Sequence, residues 1–275
     1  MPMIITATDF SDVARNAINY ACGIASLQKA EVVIIHSFVI PVMFSDIPMP
    51  TSLITDAQND SEAEMKKLLT ELSLTFPDVV MTGKVFYGDT IDTIDQFTSE
   101  NKETFLVVIG NNNTGESNSW PDSTLTEALK MLQYPVLAVP PGIAYKQVRN
   151  ICFAFDNKHE RNDAALEQLK NIAVALQAGL HVLHINANAP AENEEVIDEH
   201  AKDLLSGANP VYHFVNDADD VNDAIQTFIS DNEIDWLVMI PRKHSFFEGL
   251  FHKSHTKTIA HHIHIPILAL HEIKG

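Results

Sequence analysis

Short unbroken apolar runs alternate along the chain with stretches whose apolar residues recur every three or four positions. In the first half the runs include Val32-Val33-Ile34-Ile35, Leu106-Val107-Val108-Ile109 and Val136-Leu137-Ala138-Val139. Runs apolar at every position suit strands buried on both faces, as in parallel sheets, and their alternation with helices implies right-handed βαβ crossovers. The pattern predicts strands near 3–8, 31–37, 79–86, 105–109 and 135–139, then near 150–155, 179–185, 210–215, 236–240 and 266–270. Ala14, Ala17, Ile18, Ala21 and Ala25 form one helical stripe, with Ser11 or Asp12 as its N-cap. Val221, Ala224, Ile225, Phe228 and Ile229 form another. Residues 41–60, with Pro41, Pro48 and Pro50, read as an irregular excursion before a helix through Met65, Leu68, Leu69 and Leu72.

The pattern repeats. Ile4 to Asp9 matches Ile151 to Asp156 at an offset of 147, and the strand ending in His36 matches the one ending in His184 at 148. Leu106 to Gly110 matches Leu237 to Pro241, and Tyr134 to Val139 matches Ile265 to Leu270, both at 131. Four landmarks in one order mean a duplicated domain, shortened in its second copy between the second and third landmarks. The boundary falls near Pro140-Pro141-Gly142, giving units at 1–143 and 147–275.

Composition narrows the partners. The formal charge is −19, from 37 acids against 18 Lys and Arg, and no basic cluster stands out to meet nucleic-acid phosphates or anionic lipid. The sequence has no apolar run long enough for a membrane span, and its N-terminus has no cationic leader, so a cytoplasmic protein is expected. Cys22 and Cys152 each sit inside an apolar-periodic segment and read as buried thiols. No P-loop, nucleophile elbow or zincin motif is present, and Asp9 has no catalytic partner at a telling spacing, so no enzyme activity is expected. Trp120 reads as loop packing and Trp236 as core.

An open parallel sheet binds ligands beyond the carboxyl ends of its strands, where strand order reverses. Those ends carry Asp9, His36-Ser37 and Gly110 in the first copy, and Asp156, His184-Ile185 and Pro241 in the second. Thr8-Asp9-Phe10-Ser11-Asp12, His36 at the end of the second strand, and Tyr134-Pro135-Val136-Leu137-Ala138-Val139-Pro140 resemble the universal stress protein family. The likeness covers both copies and identifies the chain as a tandem member. It implies a Rossmann-like fold of the adenine nucleotide α-hydrolase type, with two five-stranded parallel sheets ordered 3-2-1-4-5. It also implies self-association through the last strands, here as an intramolecular pseudo-dimer, with pairing between chains and an unidentified protein partner beyond that.

ATP-binding members of that family carry Gly-x2-Gly-x9-Gly-[Ser/Thr] after the fourth strand. This chain has Gly110 and Ser123-Thr124 in that register, but Asn113 and Ser123 replace the second and third glycines. Glycine lets such a loop reach positive φ and bring N–H groups to phosphate, and asparagine is its best substitute. The resemblance therefore implies ATP, with Mg2+, in the first copy, with Ala7, Thr8, Asp9 and Ser37 at its adenosine end and Gly110, Asn113, Ser123 and Thr124 at its phosphates. Asp9 serves equally well as a helix cap. In the second copy Pro241, His244 and Ser254-His255 occupy the loop register, and a proline without an N–H cannot start the same cradle. His244, His252, His255, His261, His262, His264 and His271 crowd that copy without the spacing of a zinc site. Three classes stay open: a stress-response regulator responsive to ATP, a nucleotide-free interaction protein, and a histidine-based metal module.

Overall fold

A computed structural model describes residues 1–40, 51–111, 127–129, 131–155, 162–186, 199–216, 221–240 and 264–270. The strands are β1 (Met3–Ala7), β2 (Glu31–Phe38), β3 (Val80–Tyr87), β4 (Thr104–Gly110) and β5 (Val136–Val139) in the first half. The second half contributes β6 (Asn150–Phe155), β7 (Gly179–Asn186), β8 (Val211–Asn216), β9 (Trp236–Met239) and β10 (Ile267–Ala269). Each falls where the pattern predicts a strand. The helices are α1 (Asp12–Gln28), α2 (Thr51–Thr75), α3 (Thr90–Glu100), α4 (Asp163–Leu176), α5 (Glu199–Leu205) and α6 (Val221–Asp231). Ser11 is the N-cap of α1, its side chain accepting from the Ala14 N–H. The helix through Met65 begins at Thr51, inside the stretch expected to be irregular, and residues 41–50 lie outside the described ones.

The ten strands form one sheet, in the order β3-β2-β1-β4-β5-β10-β9-β6-β7-β8. Each half keeps the expected 3-2-1-4-5 order, and the two five-stranded sheets join through their last strands into one. β5 and β10 pair antiparallel, with Leu137 opposite Leu268; every other neighbouring pair is parallel. The physical reason is that both last strands are apolar edges, and an unpaired apolar edge is a liability that mutual pairing removes. β1 and β6 start 147 residues apart, at 3 and 150, while β3 and β8 start 131 apart, at 80 and 211. The shortening thus lies between the second and third strands of the copy, where α2 has 25 residues and α5 has 7.

One buried cluster runs along a single face of the sheet through both halves, from Ile4 and Ile18 to Ile151, Leu169 and Leu270. Two smaller clusters fill the opposite face, one including Ile91 and Ile94 of α3, the other Ile225 and Phe228 of α6. On the shared face the halves are also tied by side chains. The Trp236 indole N–H donates to the Tyr20 hydroxyl at 2.7 Å, and Trp236 is fully buried. Tyr145, in the segment joining the halves, lies edge-on to Tyr20 at 5.1 Å and so close to Gly23 that a Cβ there would meet its ring at 2.3 Å. Asp235 accepts from the Arg149 and Asn150 N–H groups at 2.7 and 3.0 Å and from Lys146 at 2.7 Å, which fixes the entry into β6. Burial works against ionisation of that carboxyl, but these donors outweigh it and hold it below the usual carboxylate range. Cys22 and Cys152 are free and buried, and burial pushes both thiols up to about 12.

Candidate functional site

In the first half the chain moves from β1 to β2 to β3 on one side of β1, then crosses to β4 on the other. The crevice of an open α/β sheet lies at that reversal, beyond the carboxyl ends of β1 and β4. Residues 7–11 build its floor through a relay of local bonds. The Thr8 N–H donates to the Ile35 carbonyl at 2.9 Å, which extends the β1–β2 ladder by one residue. Thr8 Oγ1 then accepts from the Phe10 N–H, and Asp9 Oδ1 from the Ser11 N–H, both at 2.9 Å. Ser11 Oγ accepts from the Ala14 N–H at 3.2 Å and opens α1. To make this turn Phe10 takes φ +64°, a left-handed conformation that few non-glycine residues adopt. The relay holds Thr8 buried and leaves Asp9 exposed above the sheet edge.

His36 braces the turn from β2. Its Nδ1 lies 2.7 Å from the Thr8 carbonyl, and a carbonyl only accepts, so Nδ1 carries the proton. Its ring packs at 4.5 Å from Phe10 and at 6.5 Å from Phe38, which in turn meets Tyr87 at 5.7 Å. This aromatic row was not anticipated from the sequence. Its signal was the alternation of His36 and Phe38 on β2, which puts both on one face. Ser37 points to the other face and donates to Thr90 Oγ1 at 2.7 Å, tying β2 to the first residue of α3. Asp89 caps α3 by accepting from the Ile91 and Asp92 N–H groups.

Gly110 ends β4 at the same edge. A Cβ there would stand 2.8 Å from Val13 Cγ1 and 2.9 Å from the Val13 carbonyl oxygen. The glycine is therefore required by the close approach of α1 to β4, whatever else the loop beyond it does. A Gly110→Ala variant would report that packing, not ligand contact. The Asn111 N–H continues the ladder by donating to the Val139 carbonyl at 2.8 Å. The structure thus brings Ala7, Thr8, Asp9, Ser37 and Gly110 to one edge of the sheet. Asn113, Ser123 and Thr124 lie outside the described residues.

In the second half, His184 stands two residues before the end of β7, as His36 does in β2, and it is buried beside Phe214 at 6.2 Å. Asp156, Pro241, Arg242, Lys243, His244, Ser254 and His255 lie outside the described residues, as do Trp120 and every C-terminal histidine except the exposed His264. Among the described residues no group of three or more His, Cys, Asp or Glu side chains is placed to hold a metal ion. No helix among them is long and apolar enough to cross a membrane.

The fold has solved counterparts. A universal stress protein from Archaeoglobus fulgidus DSM 4304 is 14% identical, with 98% of each chain covered and a TM-score of 0.72. A functionally unknown protein from Pseudomonas aeruginosa PAO1 is 12% identical over 99% of this chain and 93% of its own, with a TM-score of 0.54. At such identities the likeness shows the fold alone. Among curated proteins none matches. The model of the universal stress protein family matches twice in tandem, over residues 2–140 and 147–271, one match to each half of the ten-stranded sheet. With the repeated strand order and the Thr8–Ser11 turn, that double match shows that this chain belongs to the universal stress protein family.

Proposed function

We propose that the chain is a cytoplasmic, non-catalytic regulator of the stress response that binds ATP with Mg2+ in its first half. The observation that carries this reading is the turn at residues 8–11, which holds an exposed Asp9 carboxylate at the point where strand order reverses. A carboxylate there suits the hydroxyls of a ribose or the amine of an adenine and repels phosphate, so the residues present fit the adenosine end. Ala7, Thr8, Asp9 and Ser37 would hold that end. Gly110, Asn113, Ser123 and Thr124 would receive the phosphates, whose charge Mg2+ neutralises when bound.

Support for a non-catalytic role comes from how the polar groups at this edge are used. The Nδ1 proton of His36 is held by Thr8, Ser37 is bonded to Thr90, and Asp9 serves the turn. We read residues 1–143 and 147–275 as the two domains, the first keeping part of its nucleotide loop and the second having lost it at Pro241, His244 and Ser254. Further pairing between chains is part of the same reading.

A second reading, a nucleotide-free interaction protein, is favoured by one observation: packing against Val13 already accounts for Gly110. Calorimetric titration of the full chain with ATP and Mg2+ separates the two. Binding is expected, and Asp9→Ala should weaken it about tenfold or more, the worth of a hydrogen bond to a charged group. Silence toward ATP, or equal affinity in the Asp9→Ala variant, would favour the second reading.

A further inference from the structure

On the α6 side of the second half, two histidines meet across β7 and β8. They stand diagonally, since His181 lies opposite Val211 and His213 opposite Leu183. Nδ1 of His181 is 3.1 Å from Nε2 of His213, with the ring planes 10° apart and the ring centres 5.2 Å apart. Nearly coplanar rings with so short a nitrogen contact lie edge to edge and are joined by one N–H···N bond. One ring donates and the other must be unprotonated at the contacting nitrogen. Phe228 of α6 covers the pair, 4.7 Å from His213 and 6.2 Å from His181, and is itself buried. From β6, Cys152 stands opposite His181, a buried thiol that stays neutral. From β8, Val211 and Val215 share the His213 face. The acids of α6, Asp223 and Asp231, and Glu233 after it, are exposed.

We propose that His181 and His213 form an acid-sensitive clasp that ties the edge strand β8 and the helix α6 to the sheet and loosens both on protonation. The neutral pair shares one proton across its contact. A first added proton can still be shared as an imidazolium–imidazole bond. A second leaves two half-buried cations in contact, with no acceptor between them and the Phe228 ring beside them. Burial lowers the proton affinity of both rings, and the charge of His213 lowers that of His181 further. The fold therefore favours the neutral forms. The stability they contribute is present above the ordinary histidine value of about 6.5 and is lost as pH falls below it through the folded-state values. The response is local because β8 is the outermost strand and pairs with β7 alone.

Hydrogen exchange on the full chain, corrected for the intrinsic pH dependence of exchange, reads the clasp directly. For each proton taken up on opening, the opening constant rises up to tenfold per pH unit. Between about pH 7.5 and 5.5, amides of β8 and α6 are expected to lose about tenfold or more of their protection, while those of β1, β2 and β4 keep theirs. The double variant His181→Gln, His213→Gln removes both titrating groups and should abolish the difference. If that variant does not fold, ring titration of the native protein by NMR decides alone, with both midpoints expected below the ordinary value. Equal protection at the two pH values, an undiminished pH response in the double variant, or ring midpoints at or above the ordinary value would overturn the proposal.

Discussion

Leu137→Asp is expected to unfold both halves of the chain together. Leu137 and Leu268 face each other at the antiparallel joint of the sheet, and both are fully shielded from solvent. A carboxylate there would sit in an apolar buried cluster, and its burial costs more than about 4–5 kcal/mol. That is from about a third to nearly all of the roughly 5–15 kcal/mol that holds a typical native protein together. Because the core on one face is continuous across the joint, the loss is shared. With Trp120 replaced by Phe so that fluorescence reports Trp236 alone, urea denaturation followed by circular dichroism and by Trp fluorescence should show the two signals lost together, although Trp236 lies in the half that was not altered. The milder Leu137→Ala should cost about 2–5 kcal/mol without abolishing folding. Collapse of the first half with a native second half would show that the joint is a mere contact between independent domains.

Trp236→Ala carries the second largest expected effect, about 3–5 kcal/mol. The indole is the largest fully buried side chain among the described residues, and its N–H holds the Tyr20 hydroxyl across the two halves. Burial also raises the Tyr20 phenol well above its ordinary value, so it meets the indole as a neutral acceptor. Trp236→Phe separates the contributions: the ring is largely kept, the donor is lost, and about 1–3 kcal/mol should go with it. Chemical denaturation midpoints of the three proteins, compared at equal m-value, give both figures. Equal stability of the Phe variant and the native chain would mean that the Tyr20 bond contributes nothing.

Most of this architecture was legible before the structure. A strand buried on both faces needs an unbroken apolar run, so such runs located inner strands including β4 and β5, while the partly exposed edge strands β3 and β8 carry mixed sequences, and the recurrence at offsets of 147 and 131 located the duplication. The resemblance also implied that the two sheets meet through their last strands, but not that β5 and β10 run antiparallel. Pairing between edges depends on how two folded surfaces meet, and nothing in Val136 to Val139 or Ile267 to Ala269 states its partner's direction. The prolines of residues 41–60 suggest an irregular excursion to residue 60, whereas α2 already runs from Thr51, since a proline restricts the residue before it and not those after. At the site, Asp9 stands two residues beyond β1 and serves the turn, while Ser11 caps α1. The loop motif implies Gly110 at the phosphates; the clash that a Cβ there would make with Val13 is a tertiary fact, invisible in that motif. The His181–His213 contact was also missed, since diagonal neighbours on adjacent strands are set by register and not by spacing along the chain.

The placement of the nucleotide is tested most directly by photo-crosslinking with 2-azido-ATP in the full chain, followed by peptide mapping. The account predicts adducts on peptides that contain Ala7 to Asp9 or Ser37, competed away by ATP and lost in Asp9→Ala. Adducts confined to residues 147–275, or labelling of the first half that ATP does not compete, would contradict it.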